Sequence, residues 1–147
     1  MKIKAIYFSR ISAERIHSHG RPEKVKVASS THIRKVSRMK HEGEECVAVD
    51  FVFASDYEPK IGDFKIEGEA YLVDEKVDEL IEKKGNETSL CENAKFFTLN
   101  AVTNKCIRLC ILLTEDMQLP PPVQFPFFSA KKKDDKVKEV FEGAYIR

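Results

Sequence analysis

Apolar and polar positions alternate along the first half of the chain and then change period. Residues 2–15, KIKAIYFSRISAER, set Ile3, Ala5, Tyr7 and Ile11 on one face and Ile6 and Phe8 on the other, as in a strand partly covered on both sides. HSHGRP (17–22) breaks the pattern. Residues 23–40 open with alternating Lys24, Val25, Lys26 and Val27 and run through a polar middle to Val36, which predicts a long, irregular edge strand. HEGEE (41–45) predicts a turn. Residues 46–57, CVAVDFVFASDY, place Val47, Val49, Phe51 and Phe53 opposite Ala48, Asp50 and Ala54, the pattern of a central strand. EPKIGD (58–63) supplies Pro and Gly for a hairpin connection, and 64–73 alternates Phe64, Ile66, Ala70 and Leu72 with Lys65, Glu67 and Glu69. Four such strands without intervening helices predict an antiparallel sheet.

From Asp74 the period becomes helical. Val77, Leu80 and Ile81 follow an acidic Asp74-Glu75 start and precede Gly85, which predicts a short helix ending there. A longer helix is predicted over roughly 93–114. Leu99, Val102, Cys106, Leu109 and Leu113 form its stripe, and Ile107, Cys110, Ile111 and Leu112 carry apolar surface around most of its last turns. A helix apolar nearly all round needs burial on several sides, more than one sheet provides. The pattern therefore predicts oligomerisation through Val102, Cys106, Ile107, Leu109, Cys110, Ile111 and Leu113. LPPPVQFPFF (119–128) cannot continue the helix or enter a central strand, because proline fixes φ and has no amide proton. It reads as a stiff extended loop. The tail, SAKKKDDKVKEVFEGAYIR, is predicted to form a final amphipathic helix bearing Val137, Val140 and Phe141, with Lys131 to Lys133 exposed.

Composition narrows the class. With 147 residues, 42% hydrophobic and 33% charged, the chain suffices for one core, and a single domain over 1–147 is expected. A net charge of +1 argues against a chain-wide commitment to nucleic acid or anionic membrane. No apolar run approaches the roughly 18 residues of a membrane span, and MKIKAIYFSR lacks the pattern of a signal peptide, so a cytoplasmic protein is expected. Cys46, Cys91, Cys106 and Cys110 show no C-x-x-C spacing and read as small buried hydrophobes.

The N-terminal IKAIYFSRISAE (3–14) resembles the first strand of the SecB family of protein-export chaperones, with its I-x-x-I-Y, four further residues and I-S-x-E. RPEKVKV (21–27) is similar to that family's second-strand entry, CVAVDFVFAS (46–55) to its apolar third strand, and LPPPVQF (119–125) to its L-x-P-V-N-F segment. The matches keep their order and spacing across roughly 3–125. The resemblance implies an α+β fold: a four-stranded antiparallel Greek-key sheet with a long helix and shorter helices on one face, assembled as a homotetramer, a dimer of dimers. It also implies an ATP-independent holdase that binds unfolded polypeptides in apolar grooves, in protein export or in antitoxin protection. Phe96, Phe97, Leu119, Val123, Phe125, Phe127 and Phe128 are the candidate groove residues, and each also has a plain reading as core.

Two departures shape the expected partners. The family delivers clients to a motor ATPase through an acidic sheet surface, and Arg10 and Lys65 fall where two of its carboxylates stand, with Glu14 retained. Cations there oppose docking to that motor. The crossover RIHSHGRP is also short and lacks the family's aromatics. Of the remaining signals, His17 and His19 read as loop histidines, Cys106 and Cys110 as packing, and HIRKVSRMKH (32–41) as a solvated edge whose alternative role is nucleic-acid binding. With no phosphate loop and no nucleophile-base or carboxylate pair, neither an enzyme nor a cofactor is expected.

Overall fold

Four of the alternating segments pair into one antiparallel sheet in the computed structural model, which describes residues 1–16 and 24–123. Strands β1 (Lys2–Arg15), β2 (Lys26–His41), β3 (Glu44–Glu58) and β4 (Gly62–Val73) lie in the order β1-β4-β3-β2. Residues 46–57 fall in a central strand and 26–40 at an edge, as the patterns of 46–57 and 23–40 predict. His41 faces Glu44 across a two-residue turn whose Glu42 and Gly43 take φ of 52° and 79°. Both values lie in the left-handed region, the geometry that matches the twist of the flanking strands.

On β1 the expected faces are wrong, and bulges are the reason. Ile3 faces Leu72 but Ala5 faces Tyr71, and Phe8 faces Gly68 but Arg10 faces Glu67, so the register slips at Lys4 and again at Ser9. Each slip moves the following side chains to the opposite face. Ile3, Ile6, Phe8 and Ala13 therefore pack on the main core, while Ala5 joins Cys46, Ala48, Tyr71 and Val73 in a small cluster on the other face. The main core is built on Val47, Val49, Phe51 and Phe53 of β3 and Phe64, Ile66, Ala70 and Leu72 of β4.

The expected short helix before Gly85 is instead a single 3₁₀ turn, Val77–Leu80, followed by a hairpin of β5 (Ile81–Lys84) and β6 (Glu87–Leu90). Lys84 faces Glu87, which leaves Gly85 and Asn86 as the loop, with Gly85 at φ +63°. A glycine first in a two-residue loop is a hairpin signal. It outweighs the helical spacing of three apolar residues.

Among the described residues the one α-helix is α1 (Glu92–Met117), longer than the predicted 93–114. Its buried residues are Ala94, Thr98, Val102, Cys106, Cys110 and Thr114, each four positions after the last. Four residues overshoot a helical turn by about 40°, so this row winds around the helix as it crosses the sheet. All six side chains are small or β-branched, which lets the helix sit close to the large side chains of β3 and β4. The hydroxyls are satisfied locally: Thr98 Oγ1 donates to the Ala94 carbonyl at 2.7 Å and Thr114 Oγ1 to that of Ile111 at 2.8 Å. The tail helix expected over 129–147 lies outside the described residues.

Candidate functional site

The edge of β2 that is not paired with β3 borders an open groove of about 1230 Å³. Six consecutive β2 residues, Thr31 to Val36, line it. Side chains of a strand alternate between faces, so a run of consecutive lining residues means that the strand's edge borders the groove. The facing wall is the β5–β6 hairpin and the first turns of α1, with Leu90, Phe96 and Leu99 as apolar members and Glu82, Glu87 and Lys95 among the charged ones. The groove is therefore mixed in polarity.

Local structure holds these walls apart. The hairpin is fixed at its base by the Cys91 amide, which donates to the Leu80 carbonyl at 2.8 Å, and Leu90 is buried. On the β2 side the hydroxyls of Thr31 and Thr103 meet at 2.7 Å and tie the strand to mid-helix. On the β1 side Lys105 donates to the Ile6 carbonyl at 2.7 Å and lies 5.3 Å over the Phe8 ring.

Of the residues expected to line a groove, Phe96 does so and is 56% exposed. Phe97, 38% exposed, lies outside this groove. Leu119 is a correction: it is buried in the main core. The helix end draws it there. The Leu119 amide donates to the Thr114 carbonyl at 3.1 Å, and Arg15 Nη1 donates to the carbonyls of Met117 and Gln118 at 2.6 and 2.8 Å. A guanidinium suits the C-terminal end of a helix, where carbonyls lack amide partners and the dipole is negative. The Tyr57 hydroxyl then donates to the Pro120 carbonyl, and Pro122 is buried. The start of the proline segment thus closes the core. Val123 is half-buried, and Phe125, Phe127 and Phe128 lie outside the described residues.

The expected oligomer interface divides in the same way. Val102, Cys106 and Cys110 are at most 1% exposed against their own sheet and have no surface to offer a second chain. The small-residue row buries them instead. Ile107, Leu109 and Leu113 are half-buried against the core, and Ile111 is exposed. The most exposed apolar side chain of the helix is Leu112, at 64%, which was not among the expected interface positions. By length and composition alone α1 could cross a membrane, but Asn100, Asn104, Lys105 and Arg108 interrupt its apolar residues and six of its residues are buried against the sheet side.

The charged segment 32–41 is tied into the sheet. Arg34 reaches from β2 to Asp50 on β3 at 3.1 Å and to Glu67 on β4 at 3.0 Å, and Arg38 pairs with Glu45 at 2.9 Å and with Asp78. Hydrogen bonds to Asp50 and to Glu45, respectively, raise the pKa of each guanidinium. Lys65 lies 3.6 Å from Glu67. On the helix, burial pushes the Cys106 and Cys110 thiols up to about 12, so both stay protonated and are poor nucleophiles or metal ligands. His17 and His19 lie outside the described residues.

The hairpin wall of the groove was missed in the sequence reading. The Gly85-Asn86 pair between IEKK and ETSL was the available signal. Compared with protein-family models, with curated proteins and with solved structures, the chain finds no match.

Proposed function

We propose that this chain is an ATP-independent holdase that binds unfolded or non-native polypeptides, in export or in protection of a labile partner, as the resemblance to the SecB family implies. The observation that carries the reading is the groove: about 1230 Å³ open along the edge of β2, with Phe96 exposed on its wall. An apolar ring exposed beside an unpaired strand edge offers both kinds of contact an unfolded chain can make, side-chain burial and backbone pairing. The finer fold reading is a Greek key. Its support is the strand order β1-β4-β3-β2, in which three consecutive strands form a meander and β1 lies beside the last of them.

Assembly into a homotetramer, or a dimer, belongs to the same proposal. Ile11 at 48%, Ile111 at 36% and Leu112 at 64% exposed are large apolar side chains on β1 and α1 that a second copy would cover. Docking to a SecB-type motor ATPase through the sheet is not part of it. Arg10 and Lys65 carry cations on that face, and the ion pairs of Lys65 and Arg34 with Glu67 neutralise a carboxylate that a basic partner would need. The nucleic-acid alternative loses support from the pairing of Arg34 and Arg38 with acids, because a neutralised guanidinium has little to gain from a phosphate.

The test is suppression of aggregation of a chemically denatured client, without nucleotide, by wild type, Phe96→Ser and Phe97→Ser. Both rings are exposed, so the variants should keep their thermal midpoint and mass. Phe96→Ser is expected to weaken suppression more than Phe97→Ser. A wild-type protein that leaves aggregation unchanged overturns the reading.

A further inference from the structure

The groove differs from a plain apolar channel in one respect: an unpaired strand edge forms its side. Among the described residues β2 pairs with β3 alone, and Thr31 to Val36 present six successive residues to the open space. A bulge at Arg34 sets these six residues opposite the five from Val49 to Phe53, so at about 3.3 Å per residue the run spans about 17 Å, room for an extended segment of about five residues. The two faces of such a segment would meet different surroundings. Thr31, Ile33 and Val36 stand opposite Phe53, Phe51 and Val49 of the core, on the side covered by α1 and the hairpin. His32 and Lys35 stand opposite Val52 and Asp50, on the side where β3 carries half-buried rather than buried residues and which no described helix covers.

We propose that the groove takes an amphipathic polypeptide segment as a fifth strand on β2, with apolar side chains at alternate positions turned toward Leu90, Phe96 and Leu99 and polar ones turned to water. This rests on the holdase reading and specifies its substrate class. Main-chain hydrogen bonds supply affinity that is indifferent to sequence, and the walls select a period of two rather than a continuous apolar run. The charged side chains of the hairpin, Glu82 and Glu87 among them, disfavour a segment that is apolar on both faces.

The experiment uses the full chain and a short, end-capped, fluorescein-labelled peptide in which valine alternates with threonine, lysine and glutamate. Two further peptides carry N-methyl groups on alternate backbone amides, one set on each edge of the extended peptide, with side chains unchanged. Strand addition pairs only one edge, so one methylated peptide is expected to bind about tenfold more weakly, the equivalent of about 1.4 kcal/mol, and the other as tightly as the parent. If both bind like the parent, or both weaken alike, the segment is held by side chains alone and the proposal falls while the holdase reading stands. If the chain suppresses client aggregation but does not bind the parent peptide, the β2 edge is already covered by a second copy or by residues 124–147, and the proposal again falls. Absence of both activities overturns the holdase reading itself.

Discussion

Leu119 seats directly on Gly62. A β-carbon at Gly62 would stand 2.8 Å from a Leu119 methyl and 2.7 Å from the carbonyl oxygen of Glu14. The backbone oxygen cannot yield as a flexible side chain would. Gly62→Ala is therefore expected to cost about 1–3 kcal/mol by overpacking, and Leu119→Ala about 2–5 kcal/mol by leaving a cavity. Urea denaturation measures both. A Gly62→Ala protein as stable as wild type would mean that β1 and the helix end adjust freely around the site.

The row of small residues on α1 makes an asymmetric prediction. Ala94 is fully buried and Asn104 is exposed. Ala94→Leu should lower stability by about 1–3 kcal/mol, because the helix cannot retreat from the sheet without opening the whole row. Asn104→Leu should stay within about 0.5 kcal/mol of wild type. Equal effects at the two positions would contradict the close seating of the helix.

The proposed assembly is tested by charge. Ile111→Lys and Leu112→Lys place a cation at exposed positions, so the folded subunit should survive. Within an interface the same cation is buried unpaired at a cost of several kcal/mol, and sedimentation should show smaller species. Wild-type protein that already sediments as a monomer at micromolar concentration rules the assembly out.

Tyr71 carries a pH prediction. Its hydroxyl donates to Glu69 Oε2 at 2.6 Å, and this bond, followed by burial, pushes the phenol up to about 12 from an ordinary 10.0. Below pH 10.0 both folded and unfolded chains keep the proton and the stabilisation is whole. Between there and about 12 the unfolded chain releases its proton first, so stability falls as pH rises through the window. Absorbance titration should show the Tyr71 phenol ionising late, and Glu69→Gln should bring that late step to lower pH. An unchanged titration in that variant would assign the shift to burial.

Thiol labelling reads the burial of the four cysteines directly. Cys46, Cys106 and Cys110 are buried and Cys91 is half-buried. Native protein should react at Cys91 alone, and all four should react after denaturation. Fast native labelling of Cys106 or Cys110 would mean that the helix leaves the sheet on the labelling timescale.

The strands were legible because alternation is enforced wherever one face is buried: Val47, Val49, Phe51 and Phe53 could belong to nothing else. The bulges at Lys4 and Ser9 were not, since an inserted residue leaves no mark in composition. On α1 the large apolar residues drew the eye away from the face that matters. Thr98 and Thr114 lie in the buried row and look polar, but each hydroxyl is satisfied within the helix, so only their methyl groups count against the sheet. Phe96, expected in a groove, stands exposed on the wall of this one. The edge position of β2 was legible, and 32–41 was read as solvated; the groove beside it was not legible, because its facing wall, the β5–β6 hairpin, was read as part of a short helix.

The place of β1 beside β4 has a consequence for biogenesis. Lys2 pairs with Val73 and Arg15 with Gly62, contacts of high sequence separation that close only after a large loop has been ordered. A ribosome completes β1 early and must then make β2, β3 and β4 before its partner exists. Throughout that interval Ile3, Ile6, Phe8 and Ile11 have no sheet to cover them. The nascent segment then carries apolar side chains on both of its strand faces, and only pairing with β4, which sets the slips at Lys4 and Ser9, gathers Ile3, Ile6, Phe8 and Ala13 onto the single side that the core covers.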